Sequence, residues 1–587
     1  MNFRLLTLAA AGLSCLLACT GAESDGDDGQ TDGRDIRIVL RANVVGLNPI
    51  LSTLSQSRYV SEQIFQTLNA TDPRSYELRP CLASLPVIDS SATGGMTYRY
   101  SLDSAAYWPN GQPILASDVI FSLKALLNPR VEANSYRHYY SMVSDVLVDP
   151  DDPRTFTVLT KRPYFLAAEA MADLYVYPEY VYDPEGLLRQ IPLRALADTP
   201  NATKLVDREP ALGDFADRFN DPSAGYDPER IIGSGPYRLT SWEAGRKIRL
   251  ERRKDYWAEN RHEPWLTARP EALTFLIVTD NTTTANILRD RRADIVVDMP
   301  IEQFKDLRDD AYLQQYFEFI TVPGFKSYSI LLNQENPLMA DSLTRRALAY
   351  TVDVDQILEQ LLPGLAERTV GPVLPAKTYY DDELPPIPFD VDEARKLLKA
   401  AGWEDTDGNG IVDREIDGER QDLSFTLLSY PSPTSEAVSL VVANGARAAG
   451  IDIRVVRQES QALLNQLNSG NFVASFYGLL SEPSPDDFSQ VWSSTSVPPG
   501  GTNRANFRNS EADSLIDVIA RTTDAERRAP LYRRFQQIVY DNQPMIFLFT
   551  PNDRLVVSKH LDYQVTSLAP NVHFNALLAT PEPSPPL

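Results

Sequence analysis

The sequence predicts an α/β fold, in which short half-buried strands alternate with capped amphipathic helices. The first observation is a set of segments with apolar residues at every second position, at 97–102, 246–252 and 451–456. The second is a set of helical patterns lying among them, at 61–68, 341–353 and 390–402. The third is the length of 587 residues without an internal repeat, which is enough for several lobes.

Each strand segment places its apolar side chains on one face, as a half-buried strand does. These side chains are Tyr98, Tyr100 and Leu102, then Ile248 and Leu250, then Ile451, Ile453 and Val455.

The clearest helix follows Asp390. The Asp390 carboxylate can cap the helix start, and Glu393 can reach back as in a capping box. An apolar stripe and a terminating Gly402 complete the pattern. The segment 341–353 shows a similar stripe, and 61–68 reads as a third helix.

The N-terminus has the features of a lipoprotein signal. Arg4 precedes an apolar run from Leu5 to Ala18, which is shorter than the roughly 20 residues of a membrane-spanning helix and has the polarity of a signal h-region. The ending Leu-Leu-Ala-Cys resembles the bacterial lipobox, which implies removal of residues 1–18 and acylation of Cys19. An ordinary signal peptide with an incidental cysteine is the alternative. The acidic, glycine-rich residues 19–34 predict an extended tether.

Composition bears on the type of partner and on the use of the cysteines. The formal net charge of −24 argues against a nucleic-acid partner, whose phosphates need a basic face, and fits a neutral or cationic ligand better than an anionic one. Of the 3 cysteines, Cys15 leaves with the signal and Cys19 carries the lipid. Cys81 then stands alone, and we expect it to be a buried apolar residue.

No catalytic or metal-binding motif is complete. The 4 histidines show no metal spacing, and the Gly-Ser-Gly at 233–235 reads as a turn rather than a nucleophile elbow. In the segment 405–413, Asp405, Asp407, Asn409 and Asp413 match calcium-loop positions, but position 12 is Ile416 instead of a bidentate glutamate. A turn explains these residues equally well. We therefore expect a binding protein without cofactor, although an envelope hydrolase is a competing hypothesis.

Six segments, in order, resemble the extracytoplasmic solute-binding proteins of family 5, the oligopeptide-, dipeptide- and nickel-type components of ABC importers. They include "YWPNGQPILASDVIFSLKALLNP", "GSGPYRLTSWEAGRKIRLERRKDYW" and "DEARKLLKAAGWEDTDGNG". The others lie at 46–68, 288–295 and 341–358. The resemblance extends from about residue 35 to the end of the chain.

The resemblance implies a periplasmic-binding-protein-like fold (type II, cluster C-like) with three lobes and a hinged ligand cleft. Lobe I would comprise 35–78, 225–323 and 551–587. Lobe II would be 79–224 and lobe III 324–550. The cleft would lie between lobes I and III.

The resemblance also implies the ligand contacts. One set, at the loop before the first helix, is Thr53, Leu54 and Ser55; the other, in lobe III, is Tyr477, Gly478, Ser481 and Glu482. Ser481 stands where peptide-binding relatives carry an aspartate for the ligand's α-ammonium, and Gly478 stands at their tryptophan. Either Glu482 replaces that aspartate, or the ligand lacks a free amine, because a buried ammonium without a charged partner is costly.

The resulting prediction is a monomeric, lipid-anchored protein of the bacterial cell envelope. It is expected to be extracytoplasmic, either periplasmic or surface-exposed. It would capture an organic solute, foremost a peptide, and deliver it to an ABC permease without doing chemistry. A surface interaction or sensory module on the same fold, without a permease, is the alternative.

Overall fold

The largest element of the protein is a mixed twelve-stranded sheet, and the predicted α/β class is confirmed. The computed structural model describes residues 35–52, 54–91, 94–499 and 501–579. The strands are β1 (Asp35–Leu40), β2 (Asn69–Thr71), β3 (Leu78–Pro80), β4 (Val87–Ser90), β5 (Met96–Ser101), β6 (Val143–Val148), β7 (Thr155–Thr160), β8 (Tyr237–Glu243), β9 (Lys247–Arg252), β10 (Ala272–Ile277), β11 (Ile295–Val296), β12 (Phe317–Pro323), β13 (Lys326–Leu332), β14 (Ala366–Arg368), β15 (Asp413–Ile416), β16 (Glu419–Asp422), β17 (Ser424–Ser429), β18 (Asp452–Arg457), β19 (Ala474–Leu480), β20 (Met545–Ser558), β21 (Leu561–Asp562) and β22 (Leu578–Ala579).

The helices surround these strands. They are α1 (Ser55–Ser61), α2 (Ala116–Leu127), α3 (Asn134–Tyr140), α4 (Ala167–Ala172), α5 (Glu179–Tyr182), α6 (Leu193–Ala197), α7 (Thr199–Leu205), α8 (Pro210–Phe219), α9 (Asn281–Arg289), α10 (Ile301–Arg308), α11 (Leu313–Tyr316), α12 (Ser342–Tyr350), α13 (Val354–Gln356), α14 (Val391–Ala400), α15 (Pro433–Ala448), α16 (Ser460–Ser469), α17 (Ser489–Trp492), α18 (Ser510–Arg521) and α19 (Ala525–Asn542). A π-helical turn, Ile357–Leu361, follows α13.

One long strand runs through two parts of the large sheet. The order is β18-β17-β19-β13-β20-β11-β1-β10-β9-β8, with β12 and β14 also paired to β20. The start of β20 pairs with β13 from Met545 to Phe549, and its end pairs with β12 from Asn552 to Ser558. A second backbone connection, between β12 and β13, passes close by: a Cβ on Gly324 would lie 2.9 Å from the Pro551 carbonyl oxygen. Two adjacent strand crossings therefore join the two halves of the sheet.

The segment 79–224 builds a smaller unit of its own. Its four-stranded antiparallel sheet has the order β4-β5-β7-β6, with α2 to α8 in the same stretch of chain. Tyr100 and Phe156 stack at 5.4 Å inside it. Cys81 is buried at the edge of the same core, as expected, and burial raises the pKa of its thiol to about 12.

The predicted cap at Asp390 is confirmed, and Asp341 caps α12 in a similar way. The Asp390 carboxylate accepts the Glu393 amide proton at 2.9 Å at the start of α14, and Asp341 accepts the Leu343 amide proton at 3.0 Å at the start of α12. The three predicted strands correspond to β5, β9 and β18.

The predicted helix at 61–68 is wrong. The helix is α1, which ends at Ser61, and the chain beyond it pairs with the Gly-Ser-Gly segment. The Ile64 carbonyl accepts the Gly235 amide proton at 2.8 Å, and the Gln63 carbonyl accepts the Tyr237 amide proton at 3.1 Å. A Cβ on Gly233 would lie 2.3 Å from the Ile64 carbonyl oxygen, so this close approach explains the glycine.

Among the described residues, no helix has both the length and the apolar character needed to cross a bilayer.

Candidate functional site

Charged and aromatic side chains from three separate stretches of the chain interact electrostatically, and the region that they share is here called the chamber. Helix α1 supplies one wall, the stretch from α3 to just beyond α4 supplies the second, and the loop after β19 supplies the third. The chamber residues are Arg58, Glu62, Tyr136, Asp173, Tyr175 and Glu482. Each contacts solvent, yet the charges of Arg58 and Glu482 act on groups from the other walls. Solvent contact together with electrostatic interaction across the three stretches makes these six residues a candidate ligand site.

The α1 wall carries an ion pair at helical spacing. Arg58 Nε lies 3.1 Å from Glu62 Oε1, with the side chains 41% and 36% exposed. The Glu62 carboxylate raises the pKa of Arg58. Burial raises the pKa of Glu62 in spite of Arg58. The Tyr175 hydroxyl is 3.5 Å from Glu62 Oε1, so Glu62 is engaged from two sides.

The Glu482 carboxylate has no side-chain partner among the residues that the structure describes. Among the described residues, its carboxylate makes no hydrogen bond and no ion pair within 4 Å, and the residue is exposed. Its charge contributes to raising the pKa of Arg58 on one wall and of Asp173 on another. Glu482 is therefore placed to interact with a cation in the chamber.

The backbone of the Glu482 loop, residues 481–487, is held by a buried lysine. Lys377 Nζ donates to the carbonyls of Glu482 and, at 2.5 Å, Ser484. The same nitrogen lies 3.7 Å from the Asp486 carboxylate, with the side chains only 5% and 14% exposed. Burial lowers the pKa of Lys377 and raises that of Asp486, so desolvation of this pair exceeds the attraction between its charges.

Aromatic hydroxyls and Ser481 complete the anchoring of this loop. The Tyr379 hydroxyl donates to Asp486 Oδ2 at 2.9 Å, and the Tyr532 hydroxyl donates to the Asp486 carbonyl at 2.6 Å. Ser481 Oγ donates to Asp486 Oδ1 at 2.8 Å, while its amide donates to the Phe325 carbonyl at 2.7 Å. Ser481 thus stabilises the loop, and Glu482 is the neighbour whose side chain is available.

The remaining sequence-predicted contacts lie in different settings. The Tyr477 hydroxyl accepts from Arg504 Nη1 at 2.7 Å, so this half-buried side chain is engaged within the protein. A Cβ on Gly478 would lie 3.1 Å from the Tyr328 ring, which leaves little room for a tryptophan there. Leu54 is 44% exposed and Ser55 begins α1, beside the chamber residues of that helix. Thr53 lies outside the described residues, as does Cys19.

Side chains of 79–224 and 324–550 contact one another next to the Glu482 loop. The Tyr164 hydroxyl donates to Asp487 Oδ2 at 2.7 Å, and the Phe165 amide donates to the Ala520 carbonyl at 3.0 Å. The Arg528 guanidinium lies 4.6 Å from the centre of the Phe165 ring. These contacts join the stretch 79–224 directly to the stretch 324–550.

Sequence reasoning did not identify Arg58, Glu62, Asp173 or Lys377 as part of the site. Arg58 and Glu62 had a usable signal, since their spacing of four places both on one helix face. Asp173 had no signal in the sequence, because its position relative to the other site residues depends on how a distant stretch of the chain packs.

The acidic loop at 405–413 behaves as a hydrogen-bonded turn. Ligand atoms of Asp405, Asp407 and Asp413 lie within 4.8 Å of one another. However, Asp405 accepts the amide protons of Gly408 and Gly410, Asp413 accepts from Thr406, and Asp407 pairs with a nearby arginine.

The chain is similar to known proteins over nearly its whole length. It is 24% identical to the "Oligopeptide-binding protein AppA" of Bacillus subtilis, covering 93% of each chain, and 23% identical to the "Glutathione-binding protein GsiB" of Salmonella typhi, covering 92% of each. Its fold matches a solved AppA structure "in complex with a nonapeptide" with a TM-score of 0.71, at 21% identity, over 93% of this chain and 99% of that one. It also matches NikA of Brucella suis "in complex with Fe(III)-EDTA" with a TM-score of 0.74, at 18% identity, over 93% and 100%.

These structural matches confirm the predicted type II periplasmic-binding-protein fold. The family model of the "Bacterial extracellular solute-binding proteins, family 5 Middle" matches residues 77–500, which is well over half of the chain. The chain therefore belongs to family 5 of the bacterial extracellular solute-binding proteins.

Proposed function

We propose that this protein captures peptides with a free α-ammonium and delivers them to an ABC permease. The observation that carries the proposal is the unpartnered Glu482 carboxylate on a rigidly anchored loop of the chamber. An ammonium that leaves water needs a charged partner. Glu482 supplies one beside the position where peptide-binding relatives are expected to carry an aspartate. The nonapeptide bound to AppA supports a peptide as the solute class.

The proposed capture uses three lobes and a hinge. Lobe I is 35–78, 225–323 and 551–587, lobe II is 79–224 and lobe III is 324–550. The two strand crossings beside Gly324 and in β20 support a hinge between lobes I and III. The Tyr164–Asp487 hydrogen bond supports closure of lobe II against lobe III around a bound solute.

A substitution of Glu482 tests the proposed contact. We expect Glu482→Gln to weaken binding of free peptides by about tenfold to a hundredfold, because removing one partner of a charge pair costs about 2 kcal/mol or more. Isothermal titration calorimetry with a peptide panel and its N-acetylated counterparts measures this. Small-angle scattering of the same samples reports closure on binding.

Glu419→Gln is the matched control. It removes one exposed carboxylate in the same way, but on the β15–β16 hairpin, which does not contain Glu482. Its affinity should equal that of the unmodified protein. Equal affinity of Glu482→Gln for free peptides, or tighter binding of N-acetylated than of free peptides, would contradict the α-ammonium contact.

We propose further that the mature protein is a monomer anchored to a membrane of the cell envelope through acylated Cys19. The apolar run that ends in Leu-Leu-Ala-Cys and the acidic residues after it support this arrangement. We expect Cys19→Ser to release the protein from the membrane fraction of the producing cells, whereas Cys81→Ser should leave it bound. Immunoblots of separated fractions measure this. A Cys19→Ser protein that still pellets with membranes would refute acylation at Cys19.

A further inference from the structure

We propose that Lys326 supplies a carboxylate subsite beside the Glu482 loop, so that the preferred peptide carries a carboxylate close to its free amino end. This inference rests on the proposed function and specifies its substrate class. It makes Lys326, at the start of β13, a specificity-determining residue. Two parts of a peptide supply such a carboxylate: the C-terminus of a short peptide, and the side chain of an aspartate or glutamate.

Backbone pairing places Lys326 next to the Glu482 loop. Lys326 is the first residue of β13 and pairs with Leu480, the last residue of β19. The carbonyl that precedes it, that of Phe325, accepts the Ser481 amide proton at 2.7 Å. Glu482 is two residues beyond Leu480, so the Cα atoms of these two residues are no more than about 7 Å apart. Lys326 and Glu482 therefore belong to the same end of one strand pair.

The Lys326 side chain lies where a side chain at position 478 would need space. Paired residues of adjacent strands share a face, which puts Lys326 and Tyr328 on the face of Leu480 and Gly478. A Cβ on Gly478 would lie 3.3 Å from Lys326 Cε and 3.1 Å from the Tyr328 ring. The glycine thus leaves room for the lysine over the ring. Leu480 is 79% exposed, so this face meets solvent at the end where Lys326 lies.

The Lys326 ammonium lies over an aromatic ring and has no oxygen partner in the described part of the chain. Its Nζ is 4.7 Å from the centre of the Tyr328 ring, and within the described ranges it makes no hydrogen bond and no ion pair within 4 Å. Phe476, stacked at 5.1 Å, and Phe549, at 5.5 Å, hold the Tyr328 ring in turn. A ring face attracts the cation, but it does not replace oxygen acceptors for the three N–H donors. These donors remain available to a ligand oxygen.

Asp553 is the acid on which the charge of Lys326 acts. Its carboxylate accepts from the Asn571 side chain at 3.3 Å. Burial raises the pKa of Asp553, and Lys326 comes after Asn571 and Arg554 among the groups that oppose this shift. No ion pair within 4 Å joins Lys326 to Asp553, both of which are described residues. Neutralising a protein carboxylate therefore does not occupy the Lys326 ammonium.

Two unpaired charges of opposite sign then lie at one end of the β13–β19 pair. The Glu482 carboxylate and the Lys326 ammonium do not pair with each other, since no ion pair within 4 Å joins these described residues. A peptide whose α-ammonium contacts Glu482 brings its first residues to this end of the strands. A carboxylate among them can accept charge-assisted hydrogen bonds from Lys326. The arrangement suits a ligand segment that carries both charges.

Two peptide series test the inference and separate the two sources of the carboxylate. The first compares alanine di-, tri- and tetrapeptides with their C-terminal amides. The second compares amidated alanine pentapeptides that carry one glutamate, at each position after the first, with the same peptides carrying glutamine. In calorimetric titrations at about pH 7.5, we expect at least one carboxylate peptide to bind about fivefold or more tightly than its neutral partner. A preference in the first series identifies the C-terminus as the source, and one in the second identifies a side chain.

Substitutions of Lys326 link the preference to this residue. Lys326→Met should bring the affinity ratio close to one and retain the affinity for the neutral peptides. Lys326→Arg keeps a cation over the Tyr328 ring and should keep the preference. Lys254→Met is the matched control, because it removes one exposed positive charge outside the strand pair, and it should keep the full preference. If Lys326→Met folds poorly, Lys326→Gln takes its place.

The result is distinguishable from a failure of the proposed function. Glu482→Gln should lose the discrimination against N-acetylated peptides and keep the carboxylate preference, whereas Lys326→Met should do the reverse. Full carboxylate preference in Lys326→Met, or no preference in the unmodified protein, would overturn the carboxylate subsite and leave the proposed function standing. Failure of every free peptide to bind the unmodified protein would overturn both.

Discussion

Lys377→Met should remove peptide binding and lower the free energy of unfolding by about 3–5 kcal/mol, the cost of breaking a buried ion pair from one side. The ammonium of Lys377 contacts the Glu482 carbonyl, the Ser484 carbonyl and the Asp486 carboxylate in a setting where its side chain is 5% exposed. Without it, Asp486 is left as an uncompensated charge and two carbonyls lose their donor. The loop that carries Glu482 then loses the lysine contacts that hold its conformation.

Urea unfolding and calorimetric titration of the same samples measure both effects. Lys399→Met is the control, because Lys399 pairs with Glu404 at an exposed position and should cost under about 1 kcal/mol. Adding Asp486→Asn to Lys377→Met should recover part of the stability, since the unpaired charge is gone, without recovering binding. Full peptide affinity in Lys377→Met would show that the anchored loop is not the ligand site.

Arg345→Met should be comparably destabilising for a different reason. Arg345 is 2% exposed and donates to the carbonyls of Met339 and Ala340 at 2.7 and 2.9 Å, and twice to the Asn542 carbonyl at 3.0 and 2.8 Å. It therefore joins the start of α12 to the end of α19. Removing it leaves the buried Met339 carbonyl without this donor, at about 1–3 kcal/mol, and also removes the donor from the partly buried carbonyl contacts of Ala340 and Asn542.

The neighbouring Arg346 provides a matched control, because its guanidinium lies over the Tyr540 ring at 5.2 Å and remains partly exposed. Arg346→Met should lower the midpoint of urea unfolding only slightly, whereas Arg345→Met should lower it clearly at a similar denaturant slope. Equal midpoints for the two variants would show that the carbonyl contacts of Arg345 contribute little to stability. Burial lowers the pKa of Arg345 to about 10, so it remains charged at neutral pH.

Local rules predicted the elements whose signals lie within a few residues. The cap at Asp390 succeeded because a carboxylate three residues before an amide is a purely local interaction. The helix expected at 61–68 failed because the Ile64 carbonyl bonds to Gly235, a partner that no local pattern shows. The Gly-Ser-Gly turn was recognised, but the close packing that requires its glycines depends on the fold.

The candidate site was predicted only in part, because some of its residues belong to a recognisable motif and others do not. A family motif led directly to Ser481 and Glu482, and the structure separates their roles, one in the loop and one towards the chamber. Asp173 and Lys377 are distant from that motif in sequence, by hundreds of residues in one case, and carry no motif of their own. Charges brought together only by tertiary packing have no signature in a single sequence.

Strand β20 belongs to both parts of the large sheet. Its first residues pair with β13 and its last residues pair with β12, and both Phe549 and Val556 are buried. Cutting the chain between them would leave each half of the sheet without a central strand. The proposed hinge would therefore bend without separating into two independently stable proteins, and we expect the capture and release of a solute to be movements within one cooperative unit.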